Sequence, residues 1–407
     1  MYIFKAGVVG AGTMGAEIAQ VISYSGLPVV LKDIDQAILD KGMQKIHGIY
    51  QRRVDRGKMD LHTMEEKLAL IELTLSYDGF KDLDVIIEAV PENIDLKVRV
   101  FQELDGICPE GAIFASNTSA LSISEMGAAT QRPEKMIGIH FFFPAHVMKL
   151  VEVIPGLDTA QDTVDSVVSF AESLRKIPVV VKECPGFLVN RLLAPFLNEA
   201  VRCVQEGAAT PEEIDKQVAG FGMPMGPLVL SDALGLDVAW SVAQTLYTEY
   251  GERMRPPRLF QLLVEAGRLG EKAGAGFYEY GADGKESLPV LIEKARRETT
   301  VTGSEFSVER CLLPLINEAA LCLEENIASP ADIDMAMMAG TGMRRGDRPI
   351  GPLGLADEMG LDAVLGQLEE FQRKYGERFR PARYLRLKVK AKHLGKKVGK
   401  GFLEYAA

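Results

Sequence analysis

The sequence predicts a doubly wound α/β domain followed by two tandem all-α domains. Three observations predict it: a glycine-rich turn between a strand and a helix near the N-terminus, strands and helices alternating after that turn, and a second half that repeats itself.

The repeat sets the domain plan. Tyr250-Gly251-Glu252-Arg253 returns 125 residues later as Tyr375-Gly376-Glu377-Arg378. Gly276-Phe277 and Gly226-Pro227-Leu228 return at the same offset as Gly401-Phe402 and Gly351-Pro352-Leu353. Leu197-Asn198-Glu199-Ala200 matches Ile316-Asn317-Glu318-Ala319 at an offset of 119, so about six residues are inserted around 344–348. So long a period marks a duplicated domain rather than a solenoid. Each copy reads as helical. Thr210-Pro211-Glu212-Glu213 offers a capping hydroxyl, a proline at the first helical position and a glutamate at the third, and Ser329-Pro330-Ala331-Asp332 repeats the device. The expected domains are 1–183, with a helical insertion at about 36–73, then 184–283 and 304–407, with the connection within 284–303.

In the first domain a strand over 5–10 enters Gly10-Ala11-Gly12-Thr13-Met14-Gly15, and a helix follows over 16–25. A second strand over 28–32 ends at Asp33. Long helical stretches over 36–73 break near Arg56-Gly57-Lys58, and buried strands follow at 85–88 and 113–116. Such alternation makes a parallel sheet.

Composition narrows the class. With 47% hydrophobic and 25% charged residues the chain reads as a globular protein, and no apolar run approaches a bilayer span. The first strand begins within a few residues of Met1, leaving no room for a signal peptide. The five cysteines form no CxxC pair and no zinc spacing, so a reduced, cytoplasmic protein without a metal is expected. A net charge of −11 argues against nucleic-acid partners. Arg52, Arg53, Arg56 and Lys58 are a local exception, readable as a phosphate contact or simply as a solvated helix tip.

A GxGxxG run alone is weak, because glycines recur in loops by chance. Here it lies between strand and helix, with an acid ending the next strand, which is the full context of a Rossmann-like dinucleotide site. Gly10 permits the turn, Gly12 lets backbone approach a pyrophosphate, and Gly15 lets the helix pack on the strand. The helix start at Thr13 and Met14 offers free amides and a positive dipole end. Asp33 accepts from ribose hydroxyls and repels a 2′-phosphate, so NAD is expected rather than NADP. Lys32, one residue earlier on the strand, points to the other face.

Strands over 136–142 and 149–154 flank Phe143-Pro144-Ala145-His146-Val147-Met148. In a hairpin centred near His146, His140 lies opposite Glu152 with Cβ atoms about 5 Å apart on one face. Such a carboxylate fixes one imidazole nitrogen's proton and leaves the other free to accept one, as oxidation of an alcohol requires. A purely structural His–Glu pair is the competing reading.

Ser116-Asn117-Thr118-Ser119, Gly138-Ile139-His140-Phe141-Phe142, Met148-Lys149-Leu150-Val151-Glu152 and Pro185-Gly186-Phe187-Leu188-Val189-Asn190-Arg191 decide between the two. Together with the glycine turn and Gly226-Pro227 they resemble the 3-hydroxyacyl-CoA dehydrogenase family along the whole chain. The duplicated half resembles the dehydrogenase part of multifunctional fatty-acid oxidation enzymes, without their hydratase domain. The resemblance implies (S)-3-hydroxyacyl-CoA oxidation with NAD and an acyl-CoA substrate. It implies His140 as base, Glu152 as its orienting partner, Ser119 on the substrate oxygen, and Asn190 ordering the site. It places Glu88, Lys97 and Asn117 near the cofactor, and Arg53 and Lys58 near the CoA phosphates. Family members usually carry Asn or Ser where this chain has Phe143, so an altered acyl preference is expected.

The second copy lacks the site residues: Glu309-Arg310 stands where Asn190-Arg191 stands in the first. In single-copy relatives this domain is the dimer interface. The tandem copy can satisfy that interface within one chain, and a monomer is the expected consequence. Two alternatives stay open: a dehydrogenase of a free hydroxy acid, and a non-catalytic NAD-binding protein that kept the fold.

Overall fold

The computed structural model describes residues 2–281, 285–298 and 305–405. The chain divides between Phe187 and Leu188 into two compact units. The first runs β1 (Ala6–Val9), α1 (Thr13–Tyr24), β2 (Val29–Lys32), α2 (Gln36–Asp55), α3 (Leu61–Leu68), β3 (Ile71–Thr74) and β4 (Val85–Glu88). It continues through α4 (Ile94–Asp105), β5 (Ile113–Ser116), α5 (Ile123–Ala128), β6 (Met136–Phe141), β7 (Leu150–Pro155), α6 (Gln161–Ser173) and β8 (Ile177–Val180).

These eight strands form one sheet in the order β3-β2-β1-β4-β5-β6-β7-β8. Every neighbouring pair is parallel except β6–β7. Helices cover both faces, so the central strands are apolar throughout rather than alternating. Val8, Leu31 and Ile87 point into one core, and Val9, Val30 and Ile86 into the other. The β6–β7 hairpin pairs His140 with Glu152 and Ile139 with Val153, the register expected for a turn around His146.

The insertion after β2 departs from the purely helical expectation. Helices α2 and α3 are present, N-capped by Asp35 and Asp60, and the break falls at Arg56. Residues Ile71–Thr74, however, form β3, which pairs in parallel with β2 at the sheet edge. Ile-Glu-Leu-Thr alternates with a period of two, and the open edge of β2 supplies the partner that makes it a strand.

The second unit holds both copies. The first comprises α7 (Val189–Glu206), α8 (Pro211–Phe221), α9 (Pro227–Leu234), α10 (Leu236–Tyr250) and α11 (Arg258–Glu265), followed by α12 (Leu288–Arg297). The second repeats it as α13 (Val308–Glu324), α14 (Pro330–Thr341), α15 (Pro352–Met359), α16 (Leu361–Tyr375) and α17 (Arg383–Lys390). Between α14 and α15 the inserted residues form a small hairpin of β9 (Arg344–Arg345) and β10 (Arg348–Pro349). Of the expected connection, 284 and 299–303 lie outside the described residues, and the described part contains α12. Thr210 completes a capping box with Glu213, and Ser329 caps Asp332, so the same start device operates in both copies.

Helices α7 and α13 pack on each other, joined by an ion-pair network that repeats itself across the pair. Arg191 reaches Glu318 at 2.8 Å and Glu325 at 2.7 Å. Its counterpart Arg310 reaches Glu199 at 2.7 Å and Glu206 at 2.5 Å. Arg253 joins Glu318 and Arg378 joins Glu199, again as counterparts. The Arg191 guanidinium lies over Tyr250, and that of Arg310 over Tyr375. Each residue of one copy thus meets in the other the equivalent of what its own counterpart meets, as in an isologous interface. Burial acts to raise the Glu199 carboxyl, but Arg378, Arg310 and Arg202 hold it below the ordinary carboxylate value. Arginines suit such buried sites because a planar fork satisfies several acceptors at once.

Among the described residues no helix is long and apolar enough to cross a membrane.

Candidate active site

The sheet order reverses direction between β1 and β4, and loops at the carboxyl ends of strands beside such a point form the crevice where ligands bind in this architecture. Gly10 follows β1 with φ of 102°, a conformation L side chains rarely adopt, and a Cβ there would meet the Ala89 carbonyl oxygen at 2.6 Å. A Cβ on Gly15 would lie 1.7 Å from the Gly10 oxygen, so α1 can approach β1 only without one. Gly12 faces open space, and no side chain caps the start of α1 at Thr13 and Met14. Backbone amides with a positive dipole end are therefore presented to an anion, which fits a dinucleotide pyrophosphate. Asp33, closing β2, accepts from the Ala11 amide at 2.6 Å and from the Ile34 amide at 2.7 Å, tying the acid to the glycine turn. Lys32 lies on the other side, its ammonium over the Tyr77 ring at 4.3 Å.

The strand ends beyond are cross-braced. Glu88 ends β4 wholly buried; its carboxylate accepts from Lys97 Nζ at 2.7 Å, from the Val90 amide at 2.7 Å and from Ser116 Oγ at 2.6 Å. Burial raises the Glu88 carboxyl above its ordinary value, and Lys97 is the main force opposing that rise. Lys97 is itself 1% exposed and also pairs with Glu92 at 3.2 Å. Its ammonium therefore faces the carboxylates of Glu88 and Glu92. The Asn117 backbone N–H donates to the Glu88 carbonyl, and its Oδ1 accepts from the Phe141 amide at 2.9 Å, linking β4 and β5 to β6.

His140 lies on β6 with its imidazole held at both nitrogens. Nδ1 is 2.8 Å from Glu152 Oε2, and Nε2 is 3.2 Å from Ser119 Oγ. The Phe142 and Phe187 rings stand 4.5 and 5.8 Å from the imidazole, so the pair sits in an apolar surround. With Glu152 fully buried, its negative charge acts on Nδ1 with little screening by water. A proton held on Nδ1 leaves Nε2 as the acceptor, directed at the Ser119 hydroxyl.

Three braces were not singled out in the sequence. Glu92 accepts from Thr118 Oγ1 at 2.5 Å and from the Ser119 amide at 2.9 Å, holding the loop that carries Ser119. Glu183 accepts from the hydroxyls of Ser122 and Ser124 just beyond. Glu17, on the buried side of α1, pairs with Lys45 at 2.8 Å and meets the Ala145 amide and His146 Nδ1. An acid set in the apolar run Ala16-Glu17-Ile18 was the available signal for Glu17. The loop after β6 is further held by Lys176, which donates to the Ala145 and Met148 carbonyls and whose amine burial pushes down to about 8.

The remaining expected residues are placed as follows. Arg53 turns onto Tyr24, donating to its hydroxyl at 2.7 Å with the guanidinium over the ring, while Lys58 is exposed in the turn after α2. Phe143 is 56% exposed just past β6, with the Lys45 ammonium 5.4 Å from its ring. Asn190 stands in the first turn of α7, in the second unit.

Enzymes that pass a hydride to a nicotinamide need a dinucleotide cradle and a proton acceptor along one sheet edge. This unit carries a glycine-rich cradle and a histidine that could accept a proton. Residues 5–184 match the NAD-binding domain of 3-hydroxyacyl-CoA dehydrogenase, and residues 186–280 and 306–405 each match its C-terminal domain. The chain belongs to the 3-hydroxyacyl-CoA dehydrogenase family, and its N-terminal unit is an NAD-binding domain.

A fatty acid oxidation complex subunit alpha from Shewanella amazonensis is 40% identical over 396 residues, covering 94% of this chain and 55% of that protein. The chain thus spans about half the length of the curated relatives it matches. The crystal structure of 3-hydroxybutyryl-CoA dehydrogenase from Escherichia coli K12 is similar with a TM-score of 0.86 and 30% identity, covering 96% of this chain and 99% of that one. That of (S)-3-hydroxybutyryl-CoA dehydrogenase from Ralstonia eutropha is 44% identical with a TM-score of 0.67, covering 69% of this chain and all of the other.

The Glu88–Lys97 pair gives a pH-dependent prediction. Folded Glu88 holds its proton more tightly than the unfolded chain does, so its contribution falls as pH rises from the unfolded value of about 4.3 through the higher folded one. Lys97→Met removes the opposing charge and lifts the folded value further. The variant's stability deficit should be small near pH 4 and grow to about 3–5 kcal/mol at neutrality. Urea denaturation at both pH values checks this; an equal deficit at both would contradict it.

Proposed function

We propose that this chain is an NAD-dependent 3-hydroxyacyl-CoA dehydrogenase, oxidising (S)-3-hydroxyacyl-CoA reversibly to 3-ketoacyl-CoA in fatty-acid β-oxidation or related acyl-CoA metabolism of the cytoplasm. The observation that carries the reading is the line Glu152–His140–Ser119, with Nε2 of the imidazole directed at a hydroxyl. His140 Nε2 accepts the substrate's hydroxyl proton, and Glu152 stabilises the imidazolium that results. Ser119 Oγ hydrogen-bonds the same substrate oxygen, on a loop that Glu92 keeps in place. NAD, where bound, would supply the hydride acceptor. Gly10, Gly12, Thr13, Met14, Gly15 and Asp33 would hold it, with Glu88 and Asn117 shaping the wall toward the reacting end. The role of Asn190 in ordering the site, and of Arg53 and Lys58 toward the CoA phosphates, rests on the family motif.

Following NADH absorbance with acetoacetyl-CoA and longer 3-ketoacyl-CoA substrates tests the reading. His140→Ala should lose about 10²–10⁴ in kcat while still binding NADH. Phe143→Asn should stay active with a shifted acyl-chain profile. NADH binding without turnover on any chain length would contradict the assignment, and an unchanged profile would remove the role given to Phe143.

We also propose that the paired copies take the place of a dimer, leaving a monomer. The reciprocal arginine–glutamate network supports this, since it satisfies an isologous surface within one chain. Sedimentation equilibrium should return the single-chain mass of 44.5 kDa, and twice that mass would overturn it.

A further inference from the structure

The two helical copies share a fold but differ sharply in charge at one place. Residues 248–275 of the first copy hold five Lys and Arg against four acids; the equivalent 373–400 of the second hold twelve against one. Within a chain of net charge −11, this concentrates basic residues on and around α17. Glu265 of the first copy corresponds to Lys390, Glu271 to Lys396, and Gln261 to Arg386.

The copies differ at the same place in what covers them. Helix α11 packs on α7 and α10 and has α12 as a third neighbour; α17 packs on α13 and α16. Helix α12 buries Leu291 and Ala295, donates from Arg296 to the Gln205 carbonyl, and pairs Glu298 with Arg258. Beneath it Val204 and Leu262 are 2% and 1% exposed. Their equivalents in the second copy are a half-buried Leu323 and a Leu387 that is 48% exposed. Arg383, Arg386, Leu387 and Lys390 fall at i, i+3, i+4 and i+7, so the three cations flank the exposed leucine on one helix face. None of these three cations has an ion-pair partner among the described residues, although the chain carries an excess of acids.

We propose that the α13–α17 face of the second copy docks an acidic amphipathic helix of a partner protein. Its apolar residues would cover Leu387 and Leu323, and its carboxylates would meet Arg383, Arg386 and Lys390. The equivalent face of the first copy shows that this surface accepts a single helix, since α12 already lies there with a glutamate on Arg258. One leucine ringed by cations suits an acidic helix better than a lipid surface, which calls for a broader apolar face.

The probe is a fluorescently labelled, stapled peptide of residues 286–298 carrying Lys294→Glu and Arg297→Glu, which keeps Leu291 and Ala295 on its inner side. Anisotropy titration against the full chain should saturate. The affinity should fall at least about tenfold in an Arg386→Glu/Lys390→Glu variant, and by less in Arg386→Gln, which installs the first copy's residue. A peptide with Glu293→Lys and Glu298→Lys instead should not bind. Absence of saturable binding, equal binding of both peptides, or indifference to the double variant would overturn the proposal. So would co-sedimentation of the chain with phosphatidylglycerol vesicles while the acidic peptide stays inert. Self-association of the chain that Arg386→Glu abolishes would likewise overturn it, assigning the face to a second copy.

Discussion

A buried carboxylate beneath an imidazole is the interaction on which the proposed site in the first unit depends. Glu152 has no exposed surface, and an ionised group in that position is tolerated only with partners that stabilise its charge. Register fixes the main one: β6 and β7 are antiparallel, and the hairpin places His140 opposite Glu152. A slip of one residue in that hairpin would set His140 opposite Val151 or Val153 and leave Glu152 facing the other side of the sheet. The bracing around the 143–148 loop, from Glu17 and Lys176, therefore helps hold that register without touching either side chain. The parallel strands beyond bring the glycine turn to the same edge of the sheet.

The helical unit answers a different constraint. Duplication gives two surfaces of one shape, and a shared surface pairs well with itself when every charge finds its opposite at the equivalent place. Arg191 and Arg310 do this with Glu318 and Glu199, each arginine lying over a tyrosine. Once paired, the copies were free to diverge outside the interface. The first keeps the Asn190 motif and is covered by α12, while the second carries Glu309 there and gains the cations of α17.

Much of this was legible in the residues because the determining signals are local. The glycine turn, the acid closing β2 and the hairpin register all follow from spacing within a few dozen positions. The duplication was legible because two copies of one pattern can be compared directly. Strand β3 was not, since four residues after two helices become a strand only through the edge of β2. Helix α12 was read as connection because its polar outer face outweighs the two small contacts, Leu291 and Ala295, that it buries. The resemblance places Lys97 near the cofactor, but that its ammonium pairs with Glu88 and Glu92 shows only in the folding of α4 against β4.

The proposed role of His140 as base depends on which of its ring nitrogens carries the proton. Nitrogen-15 NMR of the imidazole in the free protein at pH 8, assigned by comparison with His140→Ala, reports this directly. The neutral tautomer should carry its proton on Nδ1 and leave Nε2 bare, with Glu152→Gln losing that preference. A ring protonated at Nε2 would leave no acceptor facing Ser119, and would contradict His140 as the base.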